Sequence, residues 1–482
     1  MGLKLGVGGV LPSGMKMDKS RQVVADIVER GLCCGCGICA GVCPNRNLEM
    51  ALCGNGDIAP ILVGECPSGC QLCMQVCPFG PQSKSEDRLA KTRFGCSEEA
   101  KFEKTVGLYL ESFVGYSLVS DHRARGASGG MATWLLESLV RRGLVDAVVC
   151  VGEGKGNDGL FEYKAVADIE ALRGAAGSRY YPVSVAEAVA LMNEKFKEAR
   201  YAVVGLPCVL KGLHLAMEAL PRLRRRIVYT LGLTCGHMPN RLYTEYLASI
   251  SGIPPGHLAS AKYRLKENTG RAGNFKFQAV AKNGCVGVAI PFSKISNIWS
   301  DGYFQVNACN YCDDVFAEVA DATFMDAWLP EYSHDPQGHS LIVVRHSALI
   351  PIFDEGVRAG GCHLKSLPVS KIVESQSGVI ENKRTLLGAR LHAASKRGCH
   401  VPVKRSVPDA YTYRRFRRKV ETQFAIQEAS KGLWPILGPR YLFAYRLYLW
   451  TLSLPLKLGR TSDRALRVLK SPSLLLRFIR RV

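Results

Sequence analysis

Two runs of cysteine carry the most specific chemical signal in the chain. The first is Cys33-x2-Cys36-x2-Cys39-x3-Cys43-Pro44, and the second is Cys66-x3-Cys70-x2-Cys73-x3-Cys77-Pro78. Three thiolates this closely spaced wrap one face of a four-iron cube. A fourth Cys before a Pro turns away to serve a neighbouring cube. The spacing therefore assigns Cys33, Cys36, Cys39 and Cys77 to one [4Fe–4S] cluster, and Cys43, Cys66, Cys70 and Cys73 to a second. Gly35, Gly37 and Gly69 are expected where a Cβ would crowd the sulfides.

A zinc ribbon also uses paired CxxC, but it needs four ligands and no doubled run ending in Cys-Pro. A disulfide framework suits short secreted chains, and MGLKLGVGGVLPSGMKMD does not read as a secretory signal. Its Gly2 is not a myristoylation start, and its GVGG is too short for a nucleotide loop. Residues 28–82 resemble a 2[4Fe–4S] ferredoxin domain. The extra residue between Cys66 and Cys70 is the one departure.

A second set of candidates lies further on. Cys208 follows YAVVGLP, Cys235-Gly236-His237 follows IVYTLGLT, and Cys309-Asn310-Tyr311-Cys312 precedes the acidic DDVFAEVAD. Alone, the CxxC fits zinc, a redox pair or an iron–sulfur site equally well, and each single Cys fits a buried inert thiol. Ser128-Gly129-Gly130 stands before a helix-forming run, where free amides and a dipole suit phosphate. A tight turn with Ser as N-cap is the commoner reading of so short a motif.

The elements that must position these residues read as α/β. A strand spans 107–118, a loop follows, then a helix (MATWLLESLVRRG) and a buried strand at 145–151. The pattern repeats with a helix at 188–199, the strand YAVVG, a helix around LHLAMEAL and the strand IVYTLGLT. Cys208 and Cys235 thus fall past the carboxyl ends of consecutive buried strands, the edge where open α/β sheets bind ligands.

With 482 residues the chain allows several domains. The expected architecture is α+β / α/β and multidomain. It comprises a leader (1–27), the ferredoxin-like domain (28–82), a polar linker (83–105), an α/β domain (106–400) and a basic, mainly helical tail (401–482). Nineteen cysteines suit a reducing cytoplasm. The net charge of +21 is concentrated in the tail, with 18 Lys or Arg against 4 Asp or Glu from residue 401 onward. Its Trp434, Tyr441, Tyr445, Tyr448 and Trp450 lie among leucines and arginines, which suits a membrane interface as well as it suits a helical cap. Arg440 and Arg446, with Pro435, Pro439 and Pro455 as expected breaks, argue against a membrane span. Nucleic acid calls for basic charge without so much Leu and Phe.

Residues 106–400 resemble the β-subunit family of coenzyme F420 hydrogenases and dehydrogenases. SGGMATWLLESLVRRGLVDAVVCVG, AAGSRYYPVS, VVGLPCVLKGL, LGLTCGH, CNYCDDVFAEVADATFMDAW and HSLIVVR carry the resemblance. It implies FAD and a third [4Fe–4S] cluster held by Cys208, Cys235, Cys309 and Cys312. It also implies flavin contacts from Ser128, Gly129, Gly130, Thr133, Gly177, Ser178, Arg179 and Tyr180. His237 is a candidate proton donor beside the flavin, set against the commoner structural histidine. Cys34, Cys53, Cys96, Cys150, Cys285, Cys362 and Cys399 are left as packing residues. Met325-Asp326 stands where the family has Gly-Asp, and no deazaflavin pocket is legible.

The implied activity is an iron–sulfur flavoprotein oxidoreductase that couples one-electron carriers such as ferredoxin to two-electron chemistry on a substrate such as F420. The same architecture serves reductases fed by ferredoxin, including the plant enzyme that reduces hydroxymethyl chlorophyll. An electron-transfer subunit that docks to a separate catalytic partner is the alternative. The expected location is the cytoplasm, with the tail at the inner face of the membrane.

Overall fold

A computed structural model describes residues 23–470 except 157, 158, 195–197, 268 and 439. Of the expected leader, residues 1–22 lie outside the described residues, and Val24–Val28 form a short π-helical turn. The first cysteine run then wraps a one-turn helix at Ile38–Gly41. It leads into an antiparallel hairpin of β1 (Leu48–Leu52) and β2 (Ile58–Leu62). The second run wraps the one-turn helix Leu72–Gln75.

Within the stretch read as a polar linker (83–105), Glu86–Phe94 form a packed helix, α1, capped by Ser85, whose Oγ accepts from the Arg88 amide. Its polar residues misled because their partners are distant in sequence. Glu86 is buried against Lys211 at 3.1 Å, and Arg93 forks onto the buried Asp321 at 2.8 Å.

The body of the chain is one mixed sheet of eight strands. In chain order these are β3 (Glu111–Ser117), β4 (Ala147–Gly156), β5 (Gly159–Val166), β6 (Tyr201–Gly205) and β7 (Ile227–Leu233). A separate antiparallel layer of β8 (Leu258–Lys266) and β9 (Phe275–Ala281) follows, joined by a short strand at Ile290–Pro291. The main sheet resumes with β10 (Ala322–Asp326), β11 (Ser340–Val344) and β12 (Cys362–Ser366), and its spatial order is β12-β3-β11-β10-β7-β6-β4-β5. The middle four strands, β10, β7, β6 and β4, run parallel, and the flanking pairs are antiparallel. Ala202, Val203, Leu231 and Ala322 are wholly buried, as parallel strands covered on both faces require.

Two helices matter for the site. The helix Met131–Arg141 lies on one face of the sheet and begins at Gly130, whose φ of 76° is left-handed. A Cβ there would meet the His122 carbonyl at 2.7 Å, so glycine is required on both counts. The helix Pro207–Ala219 begins directly after β6, with Pro in its first turn. The expected helix at 188–199 starts earlier and ends at Asn193. The loop between β3 and Met131 contains a one-turn helix, His122–Arg125.

The cysteine-rich segment does not stand apart from the sheet. Ile38, Cys39 and Val76 share one apolar cluster with Val149, Val203, Leu210 and Leu213. The Val185 amide donates to the Cys36 carbonyl at 2.9 Å. Gly35, Gly37 and Gly69 all have positive φ. The nearest obstacles to a Cβ at Gly35 and Gly37 are Ile58 and Ser184, while Gly69 faces open space. Each of the three thus needs the left-handed backbone that glycine adopts without strain.

The tail forms two long helices, Ala410–Leu437 and Leu442–Lys470. Contrary to the sequence expectation, Pro435 and Pro455 lie inside them and do not break them; Pro439 is outside the described residues. Tertiary packing compensates for the missing amides. Trp434, Tyr445 and Leu449 are buried with Tyr246 and Phe304 of the body. Among the described residues no helix is long and apolar enough to cross a membrane.

Candidate functional site

A cavity of about 540 Å³ opens at the carboxyl edge of the parallel strands. This is within the size range of ligand and cofactor sites. The first turn of the helix Met131–Arg141 supplies Gly130, Met131, Ala132 and Thr133, with Ser128 before it. The loop 175–180 supplies Gly177, Ser178, Arg179 and Tyr180, and the ends of β7 and β10 supply Cys235, His237 and Asp326. Seven of the eight residues expected from sequence to contact flavin thus converge on one space, together with His237. Gly129 does not line it. It packs where a Cβ would strike the Gly115 carbonyl and the Ser340 amide, both at 2.6 Å.

The expected N-cap serine is corrected. The cap position is Gly130, and the Ser128 hydroxyl donates instead to the His339 carbonyl at 2.5 Å. The Ser128 carbonyl accepts from Lys266, whose ammonium also reaches the carbonyls of Arg123 and Gln337, all within 2.8 Å. Burial, Arg264 and Arg123 push Lys266 down to about 7, while the three carbonyls hold its proton in place. This lysine locks the loop that starts the helix.

Residues that sequence reasoning missed complete the walls. Trp299 stacks on His237 at 4.1 Å between ring centroids and meets Tyr180 at a tilt, 4.6 Å away. Arg264 is buried, forks onto Asp326 at 3.0 and 3.1 Å, and lies over the Phe275 ring at 4.4 Å. The Asp before the family's Trp was visible in sequence. Its arginine was not, because it comes from the separate β8–β9 layer. Arg179 donates to the Ala176 carbonyl at 2.9 Å and lies over Phe161 at 5.3 Å. Among the described residues no carboxylate forms an ion pair with Arg179.

Three buried polar atoms around the cavity have no partner among the described residues: Thr234 Oγ1, His237 Nε2 and Arg264 Nε. Buried polar groups are nearly always satisfied, so these atoms fit a polar ligand in the cavity. His237 is accordingly not a satisfied structural histidine. Burial and the Lys383 charge hold its ring neutral, down to about 3.

Behind the cavity the cysteines form a continuous succession. Cys235, Cys208, Cys309 and Cys312 lie in one another's electrostatic field. Cys208 meets Cys34, which contacts Cys36, and Cys36 in turn faces Cys39. Cys39 adjoins Cys33, Cys77 and Cys73, and Cys73 adjoins Cys70 and Cys66. Cys235, Cys36, Cys39 and Cys77 are buried, while Cys43, Cys66, Cys70 and Cys73 are partly exposed. Burial drives the thiols of Cys33 and Cys235 up to about 12 and that of Cys77 to about 11.

Two cations decide what the inner group suits. Lys383 and Arg390 are buried beside Cys309 and Cys312, and neither forms a carboxylate ion pair among the described residues. Buried cations without counter-charge are costly, so thiolates on a cluster fit this pocket. No group of three or more His, Cys, Asp or Glu closes around a single ion among the described residues. A four-iron cube spreads its thiolates over four metals and asks for a wider set.

The remaining cysteines need correction. Cys34 lies between Cys36 and Cys208 and is no mere filler. Cys53 faces Cys33. Cys96, Cys285 and Cys399 are exposed, so they are not packing residues; Cys150 and Cys362 are buried as expected.

Residues 112–190 match the family model for the coenzyme F420 hydrogenase/dehydrogenase beta subunit N-terminal part, and residues 198–369 match that for its C terminus. The chain is 28% identical over 225 residues to the coenzyme F420-dependent sulfite reductase of Methanocaldococcus jannaschii, covering 44% of this chain and 31% of that protein. It therefore spans under a third of that relative. It is 24% identical over 337 residues to an uncharacterized protein of the same organism, covering 60% of this chain and 91% of the relative. A chain of the F420-reducing [NiFe] hydrogenase complex from Methanosarcina barkeri aligns over 63% of this chain and 98% of its own length, with 16% identity and a TM-score of 0.46. That likeness is too remote to bear on mechanism. The fold is mixed α/β, and the matching family is one of oxidoreductases. The chain belongs to the coenzyme F420 hydrogenase/dehydrogenase beta-subunit family.

Proposed function

We propose that the chain passes single electrons along its cysteine groups to FAD in the cavity, and couples them to two-electron reduction or oxidation of a substrate such as coenzyme F420. The observation that carries this reading is that the cysteines of the N-terminal run, Cys36, Cys39, Cys73 and Cys77, pack in one cluster with Cys208, Cys309 and Cys312, while Cys235 lines the cavity. Two [4Fe–4S] clusters would be held by the N-terminal run. Cys33, Cys36, Cys39 and Cys77 would serve one, and Cys43, Cys66, Cys70 and Cys73 the other. Cys208, Cys235, Cys309 and Cys312 would hold the third. Bound flavin supplies the exchange between one- and two-electron chemistry, and clusters supply one-electron steps.

The chain's own groups have separate tasks in this reading. Ser128, Gly130 and Thr133 offer the first turn of a helix to the cofactor's phosphates, and Arg179 offers charge. Tyr180 and Trp299 form an aromatic wall for a planar ring. His237, kept neutral, can hold one ring proton and present Nε2 to substrate or flavin. Ferredoxin or a similar small redox protein is the proposed electron partner at the Cys66–Cys73 surface. The setting would be the cytoplasm, with the basic tail touching a membrane surface.

A second reading is an electron-transfer subunit that docks to a separate catalytic chain. The match to under a third of a longer sulfite reductase favours it. Anaerobic purification with iron, sulfide and flavin analysis tests the cofactors: about twelve Fe per chain and one FAD are expected. A preparation with about eight Fe, unchanged by Cys312→Ala, removes the third cluster, and zinc in place of iron overturns the scheme. Screening ferredoxin, reduced F420 and NAD(P)H with the isolated chain separates the two readings, since a subunit turns over only with its partner.

A further inference from the structure

The last helix, Leu442–Lys470, is apolar on two opposite sides, and only one is covered among the described residues. Tyr445, Leu449 and Ser453 face inward and are at most 1% exposed. The Tyr445 hydroxyl donates to the Ser430 carbonyl at 2.9 Å, and the Tyr303 hydroxyl donates to the Leu449 carbonyl at 3.2 Å. These contacts anchor the helix to the body and explain one stripe. The other stripe is Phe443, Leu447 and Trp450, spaced four and three apart, which are 80%, 49% and 50% exposed.

Three large apolar side chains side by side on one exposed helix face call for an occupant. Its charge indicates which. From residue 429 to 459 the sequence contains Lys431, Arg440, Arg446 and Lys457 and no acidic residue. Arg440 and Arg446 are exposed, and the Lys457 ammonium lies 4.9 Å from the Trp450 ring centroid. A second copy docking through this face would bring its arginines against their own kind. Nucleic acid would leave Phe443 and Leu447 uncovered. An anionic bilayer surface answers both features, with apolar rings entering the headgroup boundary and cations meeting lipid phosphates.

We infer that the Phe443–Leu447–Trp450 face seats this protein in the plane of an anionic membrane, with the inward stripe holding the redox body against it. The inference deepens, and rests on, the reading of the tail as a peripheral membrane contact. It makes the helix a strap with two working faces, one for the protein and one for lipid.

The test is flotation of the full-length holoprotein with vesicles of phosphatidylcholine containing phosphatidylglycerol, and with phosphatidylcholine alone. The triple variant Phe443→Ser, Leu447→Ser, Trp450→Ser runs in parallel. The wild type is expected to float with the anionic vesicles, less so at high salt, and hardly at all with neutral ones. The variant should lose roughly tenfold or more of that binding, with iron content and thermal midpoint unchanged because the three side chains face solvent. Absence of wild-type binding overturns the membrane reading altogether. Equal binding by both proteins keeps a membrane tail and overturns this face as its contact. A wild-type dimer that the triple variant converts to monomer assigns the face to self-association and also overturns the inference.

Discussion

The Lys383 ammonium lies 3.3 Å from the carbonyl oxygen of Cys235 and 2.5 Å from that of Asp314. It thereby ties the turn after β7 to the segment after the CxxC. Against the cost of burial, the neighbouring Cys312 and Cys235 hold it charged, above the ordinary lysine range. A fixed cation beside a cluster favours the reduced, more negative state. Lys383→Met is therefore expected to lower the midpoint of one iron–sulfur signal by on the order of 100 mV. Lys383→Arg should restore most of it. Redox titration followed by EPR reads the shift, and an unchanged midpoint with full iron content would show the charge to be irrelevant.

Arg179 gives the cleanest test of the cavity. Gly130 is unsuitable, since its left-handed φ and its approach to His122 make any substitution a folding defect. Arg179→Met keeps the stem over Phe161 and removes the charge. Flavin affinity should fall by about tenfold, the loss of one charge-assisted hydrogen bond. Fluorescence titration of FAD into stripped protein measures it. Unaltered affinity would move the phosphates elsewhere.

The Arg264–Asp326 pair joins a buried guanidinium, 5% exposed, to a carboxylate that is 24% exposed. Asp326→Asn leaves a buried guanidinium uncompensated and should cost about 3 kcal/mol. Replacing both residues by Arg264→Met and Asp326→Leu should recover most of that loss. Thermal unfolding of the two variants discriminates, and equal losses would place the cost in cavity shape.

Glu137 predicts an acid-labile corner. It accepts from Arg173 at 2.8 and 2.9 Å and from Arg141 at 2.7 Å, and is hydrogen-bonded to the buried His122 at 2.9 Å. Against burial, the two arginines and His122 hold its carboxyl down to about 2, from an ordinary 4.5. A depressed carboxylate stabilises the fold above pH 4.5, and that contribution is lost as pH falls towards 2. Glu137→Gln should therefore lower the thermal midpoint at neutral pH, and the gap from wild type should close across that acid window. A gap independent of pH would contradict the assignment.

Much of this was legible from short-range pattern. The buried strands at 201–205 and 227–233 announce themselves through β-branched runs, so Cys208 and Cys235 could be placed at a sheet edge before any coordinates. The CxxC at Cys309 was legible as a motif but ambiguous as a site. The two cations beside it, Lys383 and Arg390, come from more than 70 residues away and were not legible from the motif. The helix Glu86–Phe94 was misread for the same reason, since its charges are neutralised by Lys211 and Asp321 across the fold. Pro455 misled in the opposite sense, because local propensity yields where a helix is anchored by residues such as Tyr445 and Leu449.

The shared packing of Ile38, Cys39 and Val76 with Leu210 and Leu213 bears on how the protein is matured. In the proposed scheme iron and sulfide must reach Cys36, Cys39 and Cys77 while that seam is still open, which would make cofactor insertion a step of folding. Protein from iron-starved cells should then be cut by protease within residues 23–82 while the sheet resists, and holoprotein should be cut at neither. Transplanting the cysteine-rich segment onto another enzyme would leave Leu210 and Leu213 bare on one side and Ile38 bare on the other, so this module is not portable.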